Sequence, residues 1–409
     1  MTQKKTKPSD KNKTSSSLFG DLSIQDFIAQ HWQKEPLLVR KALPSVEGLI
    51  DGNDLAGIAC EAEAEVRLIL CNEGQSRDAQ QNNWQCEQGP FKAKRFKTLP
   101  NSHWTLLVQS VDQWIPEIGA LLQHFSFLPR WRLDDIMISY ATDGGGVGPH
   151  FDYYDVFLLQ ASGTRQWQVG QRCDEHSPLR EHADLKLLQQ FDNKATHELH
   201  AGDMLYLPAG VAHWGTAIGD DCITISIGFR AASHREILQV ALDALAETLP
   251  ANLRYRDTEA TIDADPFCIN SAVSDHLMTM WHAQDETAIR HALTQALGEL
   301  ATEPRYPEQI AADKTLSLAQ LNTALAKKKE LSIAHHPGSR FAYHANNETD
   351  TTLSETHAEL YVDGSVLNTT LALARGICRE KIPADALAGT EEKTLLLALI
   401  NRGCVQIQV

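Results

Sequence analysis

Gly144-Gly145-Gly146-Val147-Gly148-Pro149-His150-Phe151-Asp152, with the later run Pro208-Ala209-Gly210-Val211-Ala212-His213, decides how this chain is read. His150, Asp152 and His213 are two imidazoles and one carboxylate, the ligand set that holds a non-haem iron on one face and leaves the other positions open. On a strand, residues two apart share a face, so His150 and Asp152 are expected to reach one ion while Phe151 turns away. The preceding glycines let the backbone turn tightly and leave space beside that ion. Gly202-Asp203 supplies a turn, Met204–Leu207 a strand and Pro208–Gly210 a second turn before His213, the expected third ligand.

His-x-Asp alone is weak evidence, because 17 His and 28 Asp among 409 residues give about one such match by chance. The chain holds a second one, His182-Ala183-Asp184, in a polar, helix-like stretch, and it reads as the chance instance. Three protein ligands leave three positions on Fe(II), which suits 2-oxoglutarate through two atoms and O2 through one. The distal carboxylate of that cosubstrate needs a cation. Arg165, on the strand expected after His150-x-Asp152, can form a bidentate charge-assisted pair with it. Ser139, on the preceding strand, can donate to the same carboxylate, although a serine bonded to backbone is an equally ordinary outcome.

Around this centre the texture is all-β. From Trp131, short strands are expected at Asp134–Tyr140, Phe151–Gln160, Arg165–Val169, Met204–Leu207 and Cys222–Phe229, punctuated by Gly, Pro and Asp. Many short strands with turn signals indicate a sandwich or barrel, and a jelly-roll suits them. Before it, Ser23 can cap a helix carrying Phe27, Ile28, His31 and Trp32, which Pro36 ends. Leu37–Val39 and Val66–Leu70 read as strands, Leu55–Ala64 as helix, and Trp104–Phe125 as amphipathic helix interrupted at Pro116. After it, Ser233–Thr248 reads as helix, and helical texture continues past Trp281 to about Leu300. Pro304 and Pro307 mark a boundary. Beyond them lie expected helices at Ser317–Lys328, Thr369–Arg379 and Glu391–Asn401, with strands at Arg340–His344, Glu359–Val362 and Val405–Val409.

At 409 residues two or three domains are expected. A content of 43% hydrophobic and 22% charged residues is ordinary for a globular protein with a sizeable core. No run approaches the ~20 apolar residues that cross a bilayer, and no secretory signal is visible. Eight scattered cysteines without a Cys-x-x-Cys pair exclude a zinc ribbon and fit a reducing cytosol, so a cytoplasmic location is expected. Residues 1–20 carry net +4 and residues 301–409 net −2, which leaves −18 of the overall −16 on residues 21–300. So acidic a body repels phosphate backbones and attracts basic partners, so no direct nucleic-acid binding is expected.

Asp134–Ser139, the run 144–160 and Arg165-Gln166-Trp167 resemble the bacterial JmjC-type ribosomal oxygenases, most of all the branch that hydroxylates an arginine of large-subunit ribosomal protein L-sixteen. The likeness extends to His31–Pro36 and to Ile227–Arg230, and covers residues 22–235. It implies an α+β protein with a JmjC/cupin-like jelly-roll and flanking helices. The expected division is a disordered tail over 1–19, an oxygenase domain over 20–235 with its core at about 131–230, a helical dimerisation region over 236–303 and a winged-helix-like domain over 304–409.

The resemblance implies an Fe(II)/2-oxoglutarate-dependent hydroxylase acting at the β-carbon of an arginine, with O2 consumed. By motif match His150, Asp152 and His213 hold iron, and Arg165 with Ser139 holds 2-oxoglutarate. The partners implied are a basic ribosomal protein and a second copy of the chain. An arginine substrate needs an acid near the pocket. Strand alternation puts Asp135 and Met137 on the face of Ser139, and Tyr154 on that of Asp152. Asp135 is therefore the candidate partner of the substrate guanidinium, with Tyr154 and Ser226 along its path. The alternatives are a cupin-like oxygenase of another protein side chain, such as His, or of a small molecule, and a metal-stabilised nucleic-acid-binding module.

Overall fold

The structure is a computed structural model and describes residues 18–72, 83–182, 184–263, 265–326, 328–345 and 357–408. Most of the expected N-terminal tail, residues 1–17, lies outside them. The chain divides into two compact units, one of residues up to Pro129 with Leu133–Arg230, the other of Arg130–Arg132 with Ala231–Val409. Among the described residues no helix is long and apolar enough to cross a membrane.

The first unit is a double-stranded β-helix. Its strands are β1 (Leu37–Val39), β2 (Val66–Asn72), β3 (Asn83–Gln88), β4 (Trp104–Val108), β5 (Leu133–Ala141), β6 (Asp155–Arg172), β7 (Ala195–His200), β8 (Met204–Leu207) and β9 (Val211–Phe229). They run in the order β1-β8-β6-β9-β5-β4-β2-β3, with β7 also on β6. β6 and β9 are long antiparallel partners, and the first half of β6 pairs with β8, the second with β7. Register shifts between Gln160 and Thr164 bend this ladder. Gly163 takes φ +65° there, and a Cβ on it would lie 2.9 Å from the Asp221 carbonyl oxygen. The two strands expected at Phe151–Gln160 and Arg165–Val169 are thus one bent strand, and the Cys222–Phe229 strand extends back to Val211.

Short helices α1 (Ile24–Gln30), α2 (Gly52–Ile58), α3 (Ala93–Phe96) and α4 (Pro116–Gly119) cover this sheet. Ser23 caps α1 by accepting from Asp26 N–H, and Asp51 closes a capping box on α2. The helix expected to reach Ala64 ends at Ile58. Trp104–Val108 is strand rather than helix. It is paired on both sides, by β2 and β5, and four of its five side chains are buried, so sheet burial overrides a helical pattern.

Aromatic residues fasten the N-terminal segment to the barrel. Phe157 on β6 lies 4.8 Å from Tyr206 and from Phe125, 5.6 Å from Phe229 and 5.8 Å from Phe27, ring centre to ring centre. Trp32 stacks on Tyr206 at 5.7 Å. The Tyr206 hydroxyl donates to Asp155 Oδ1 (2.7 Å) and accepts from Gln33 N–H (2.7 Å), while Gln33 Nε2 donates to Asp155 Oδ2 (3.2 Å). The His31–Pro36 run thereby fixes the first residue of β6, three positions after Asp152.

The second unit contains α5 (His234–Glu247), α6 (Ser271–His282) and α7 (Glu286–Thr302). α5 and α7 pack through Ala241, Leu245, Ala292 and Ala296. Among the described residues of 249–270 none is in an α-helix, and Ile262, Phe267 and Ile269 are exposed. Beyond Pro304 come α8 (Leu318–Leu325), β10 (Glu330–His335), β11 (Phe341–Ala345), β12 (His357–Val362), β13 (Ser365–Thr370), α9 (Leu371–Cys378), β14 (Lys381–Pro383), α10 (Thr390–Arg402) and β15 (Val405–Ile407). They make two three-stranded sheets, β14-β10-β15 and β11-β12-β13, around one core.

Phe157 is fully buried at the centre of the aromatic cluster. Phe157→Ala is expected to destabilise the first unit by ~3–5 kcal/mol. Urea unfolding followed by tryptophan fluorescence measures this, and a midpoint matching wild type would contradict the central role of this ring.

Candidate active site

His150 and His213 are brought together by main chain. His150 N–H donates to His213 C=O (3.0 Å), His213 N–H donates to His150 C=O (2.8 Å), and the ring centres are 4.2 Å apart. Residues 151–154 lie outside any strand, since β6 begins at Asp155. Strand alternation therefore does not account for Asp152 and Tyr154. Asp152 is held because its carbonyl accepts from Gly210 N–H at 2.7 Å. The expected ligands still converge: atoms of His150, Asp152 and His213 lie within 4.8 Å of one another, with His213 Nε2 3.6 Å from Asp152 Oδ2. An ion coordinated at ~2.0–2.2 Å fits such a set with small side-chain adjustments.

The tautomers suit this task. His150 Nδ1 lies 2.9 Å from Gly148 C=O, and His213 Nδ1 2.9 Å from Val211 C=O. A carbonyl can only accept, so each Nδ1 carries the hydrogen and each Nε2 keeps its lone pair for a metal. Burial, and next the neighbouring His150, push the His213 pKa down to about 4. A lowered imidazole pKa favours the neutral ring, which is the ligand form.

A cavity of about 260 Å³ opens beside these ligands, lined by Ser139, Tyr154, Arg165, Thr224, Ser226 and Arg67 among others. Arg165 is buried, 2% exposed, and its Nη1 donates to Ser139 Oγ (3.1 Å) and Thr224 Oγ1 (3.3 Å). Among the described residues no carboxylate pairs with it, and its Nε has no acceptor. Burial pulls the guanidinium pKa down, against the nearby Cys222. A buried cation held by neutral hydroxyls and the Trp167 ring, with one donor orphaned, fits an anionic ligand.

The ladder sets the distance from this cation to the metal ligands. Arg165 is opposite Ala217 and Val169 opposite His213, so Arg165 and His213 are about four residues, ~13 Å, apart along the strands. A long arginine side chain and a five-carbon diacid span that gap. Gly215 keeps it open: a Cβ there would lie 2.7 Å from the Trp167 ring and 2.8 Å from Arg165 Nε.

Ser139 and Ser226 line the cavity as expected, and so does Tyr154. Burial, then the charges of Asp152, Asp135 and Asp134, push the Tyr154 phenol well above its ordinary pKa. Asp135 departs from expectation. It does not line the cavity, and its Oδ2 accepts from Gln109 Nε2 (2.7 Å), Ser110 Oγ (2.8 Å) and Ser110 N–H (3.1 Å). The β5 register shifts between Leu133 and Ile136, so the alternation through Ser139 and Met137 does not carry on to Asp135. Thr224 and Arg67 were not in the expected set. Thr224 is the register partner of Ser139, a relation that only strand pairing reveals.

The second His-x-Asp pair is not part of this ligand set, although Asp184 lines the same cavity. His182 Nδ1 accepts from the N–H groups of Asp184 and Leu185 (3.0 Å each), and its Nε2 lies 2.8 Å from Trp84 C=O. Both ring nitrogens are used by backbone.

A JmjC-domain family profile matches residues 120–237. The chain is 36% identical over 304 residues to the ribosomal protein uL16 3-hydroxylase of Escherichia coli, covering 71% of this chain and 77% of that protein. It is 38% identical over 205 residues to a probable ribosomal oxygenase of Haemophilus influenzae, covering 50% and 48%. The crystal structure of E. coli YcfD superposes with TM-score 0.77 at 28% identity, over 95% of this chain and 99% of that one. A structure of the same ribosomal oxygenase in complex with cobalt and 2-oxoglutarate superposes at TM-score 0.76, over the same shares. The likeness spans most of both chains, and this chain belongs to the JmjC-domain ribosomal oxygenases.

Proposed function

We propose that this chain is an Fe(II)- and 2-oxoglutarate-dependent protein hydroxylase acting on the β-carbon of an arginine in a large-subunit ribosomal protein of the uL16 type. The observation that carries the cosubstrate is Arg165, a buried cation without an anion, on the cavity that holds the His150–Asp152–His213 set. The residues fit both groups. His150, Asp152 and His213 would hold the metal, and Arg165 with Ser139 and Thr224 the distal carboxylate. Iron bound there supplies the chemistry that couples oxidative decarboxylation of 2-oxoglutarate to insertion of one oxygen atom into a substrate C–H bond.

The protein's own part is positioning and exclusion of water. Met137, Val156 and Leu158 give the cavity apolar walls, while Trp167 and Gly215 shape the corridor from Arg165 to the ligands. Tyr154 and Ser226 flank the route a side chain would take. Asp135 acts from behind: its charge, with those of Asp152 and Asp134, bears on Tyr154 and favours a cationic side chain. The net −18 of residues 21–300 favours a basic protein partner. A ribosomal-protein substrate supports a cytoplasmic location for this activity. A second copy of the chain is the proposed cover for the exposed Leu242, Leu253, Ile262, Phe267 and Ile269 of the helical region.

Mass spectrometry of ribosomal proteins from cells with and without the gene tests the function. A gain of about 16 Da, one oxygen atom, on an arginine of uL16 is expected only with the gene. A shift on histidine, or on no ribosomal protein, sinks the arginine reading. Arg165→Met is expected to weaken 2-oxoglutarate binding about tenfold or more, the worth of a charge-assisted hydrogen bond; unchanged affinity by calorimetry would refute the anchor. Light scattering should give the mass of two chains for wild type and of one for Phe267→Asp with Ile269→Asp, and a monomeric wild type removes the dimer.

A further inference from the structure

Arg67 stands in the middle of β2 and lines the same cavity. Register pairs it with Leu107, Leu107 with Ser139, and Ser139 with Thr224, so the four form one row across β2, β4, β5 and β9. Cross-strand partners share a face, and strands are ~4.8 Å apart, which puts Arg67 ~10 Å from Ser139 along the row. It therefore looks onto the cavity from the wall remote from Arg165. Its charge bears on the Tyr154 phenol on one side and on the Cys86 thiol on the other. Among the described residues no carboxylate or other acceptor engages its guanidinium.

Arg67 is a further cation, besides Arg165 and Lys186, on a cavity whose lining carries the carboxylates of Asp152 and Asp184. It opposes entry of an arginine side chain unless the substrate brings something for it. A guanidinium has five donors and no acceptor, so what it meets must be an acceptor. Any peptide that presents an arginine here also presents main-chain carbonyl oxygens on either side of it. The flat fork of Arg67 matches such oxygens, singly or in pairs.

We propose that Arg67 is a substrate-positioning residue whose guanidinium donates to main-chain carbonyl oxygens of the peptide beside the target residue, holding the peptide on the cavity in the ground state and the transition state alike. This rests on the protein-hydroxylase reading, because a small-molecule substrate would bring no such carbonyls. Arg67 also takes no part in holding 2-oxoglutarate, whose distal carboxylate is served by Arg165 at the other end.

The test compares wild type, Arg67→Met and Arg67→Lys as iron-loaded full-length proteins on a uL16-derived arginine peptide, with product read by mass spectrometry. Arg67→Met is expected to raise the peptide KM about tenfold while kcat at saturation stays within about twofold. Arg67→Lys, which keeps the charge and three donors, should fall between. The 2-oxoglutarate affinity of the manganese-loaded protein, by calorimetry, should not change. The same KM rise must persist on a peptide whose acidic residues are made amides. Its disappearance there would assign Arg67 to an acidic side chain and overturn the proposal. An unchanged KM, or a parallel loss of 2-oxoglutarate affinity, would overturn it as well. If Arg67→Met does not fold, Arg67→Lys carries the KM comparison, and a wild-type KM there is contrary. No product with wild type fails the hydroxylase reading itself and takes this proposal with it, an outcome distinct from an active wild type that Arg67→Met matches.

Discussion

The antiparallel ladder between β6 and β9 is the constraint from which the site follows. It places Arg165, Trp167 and Val169 opposite Ala217, Gly215 and His213. One pair of strands thereby fixes the cation, the open corridor and the last proposed metal ligand on a common scale. The side chains at its two ends could not be placed this way on loops, because a corridor of ~13 Å tolerates little slippage: a shift of one residue turns every side chain to the other face. The bend at Gly163 is the local cost of letting the same two strands serve both halves of the barrel.

The aromatic cluster does the complementary job at the other end of β6. Burying a ring such as Phe157 stabilises by ~2–3 kcal/mol, and the cluster collects rings from α1, the turn after it, β6, β8 and β9. Asp155 is fully buried within reach of Tyr206 and Gln33. A buried carboxylate lacking those donors would be expensive, so the N-terminal segment and the start of β6 are held as a unit. Asp152, a proposed metal ligand, is three residues away from that anchor.

Much of the chemistry was legible in the sequence, though not always for the right reason. His150, Asp152 and His213 converge, and Arg165 meets Ser139, because ligand type and residue spacing carry chemical information directly. The strand that was to put His150 and Asp152 on one face does not exist at that point; a backbone bridge to His213 and the Gly210 N–H do its work. Trp104–Val108 was misread because an apolar run in a sheet buried on both sides looks like a helix in periodicity alone. Asp135 was misplaced by a bulge that leaves no trace in the residues themselves. Arg67 was out of reach because its place in the row with Ser139 and Thr224 depends on which distant strands become neighbours. The histidines of the two His-x-Asp pairs differ in what their ring nitrogens meet, although Asp184 shares the cavity with Asp152. His150 and His213 each spend Nδ1 on a carbonyl and keep Nε2, whereas His182 spends both nitrogens on backbone.

The reciprocal main-chain hydrogen bonds between His150 and His213 also bear on how the protein acquires its metal. A zinc finger assembles its ligands only when the ion arrives, so its metal affinity and its folding are one equilibrium. Here two of the three candidate ligands are brought into register by the polypeptide's own hydrogen bonds. The pairing of the two imidazoles is thus a property of the strand ladder, and an ion would meet them already side by side rather than having to gather them.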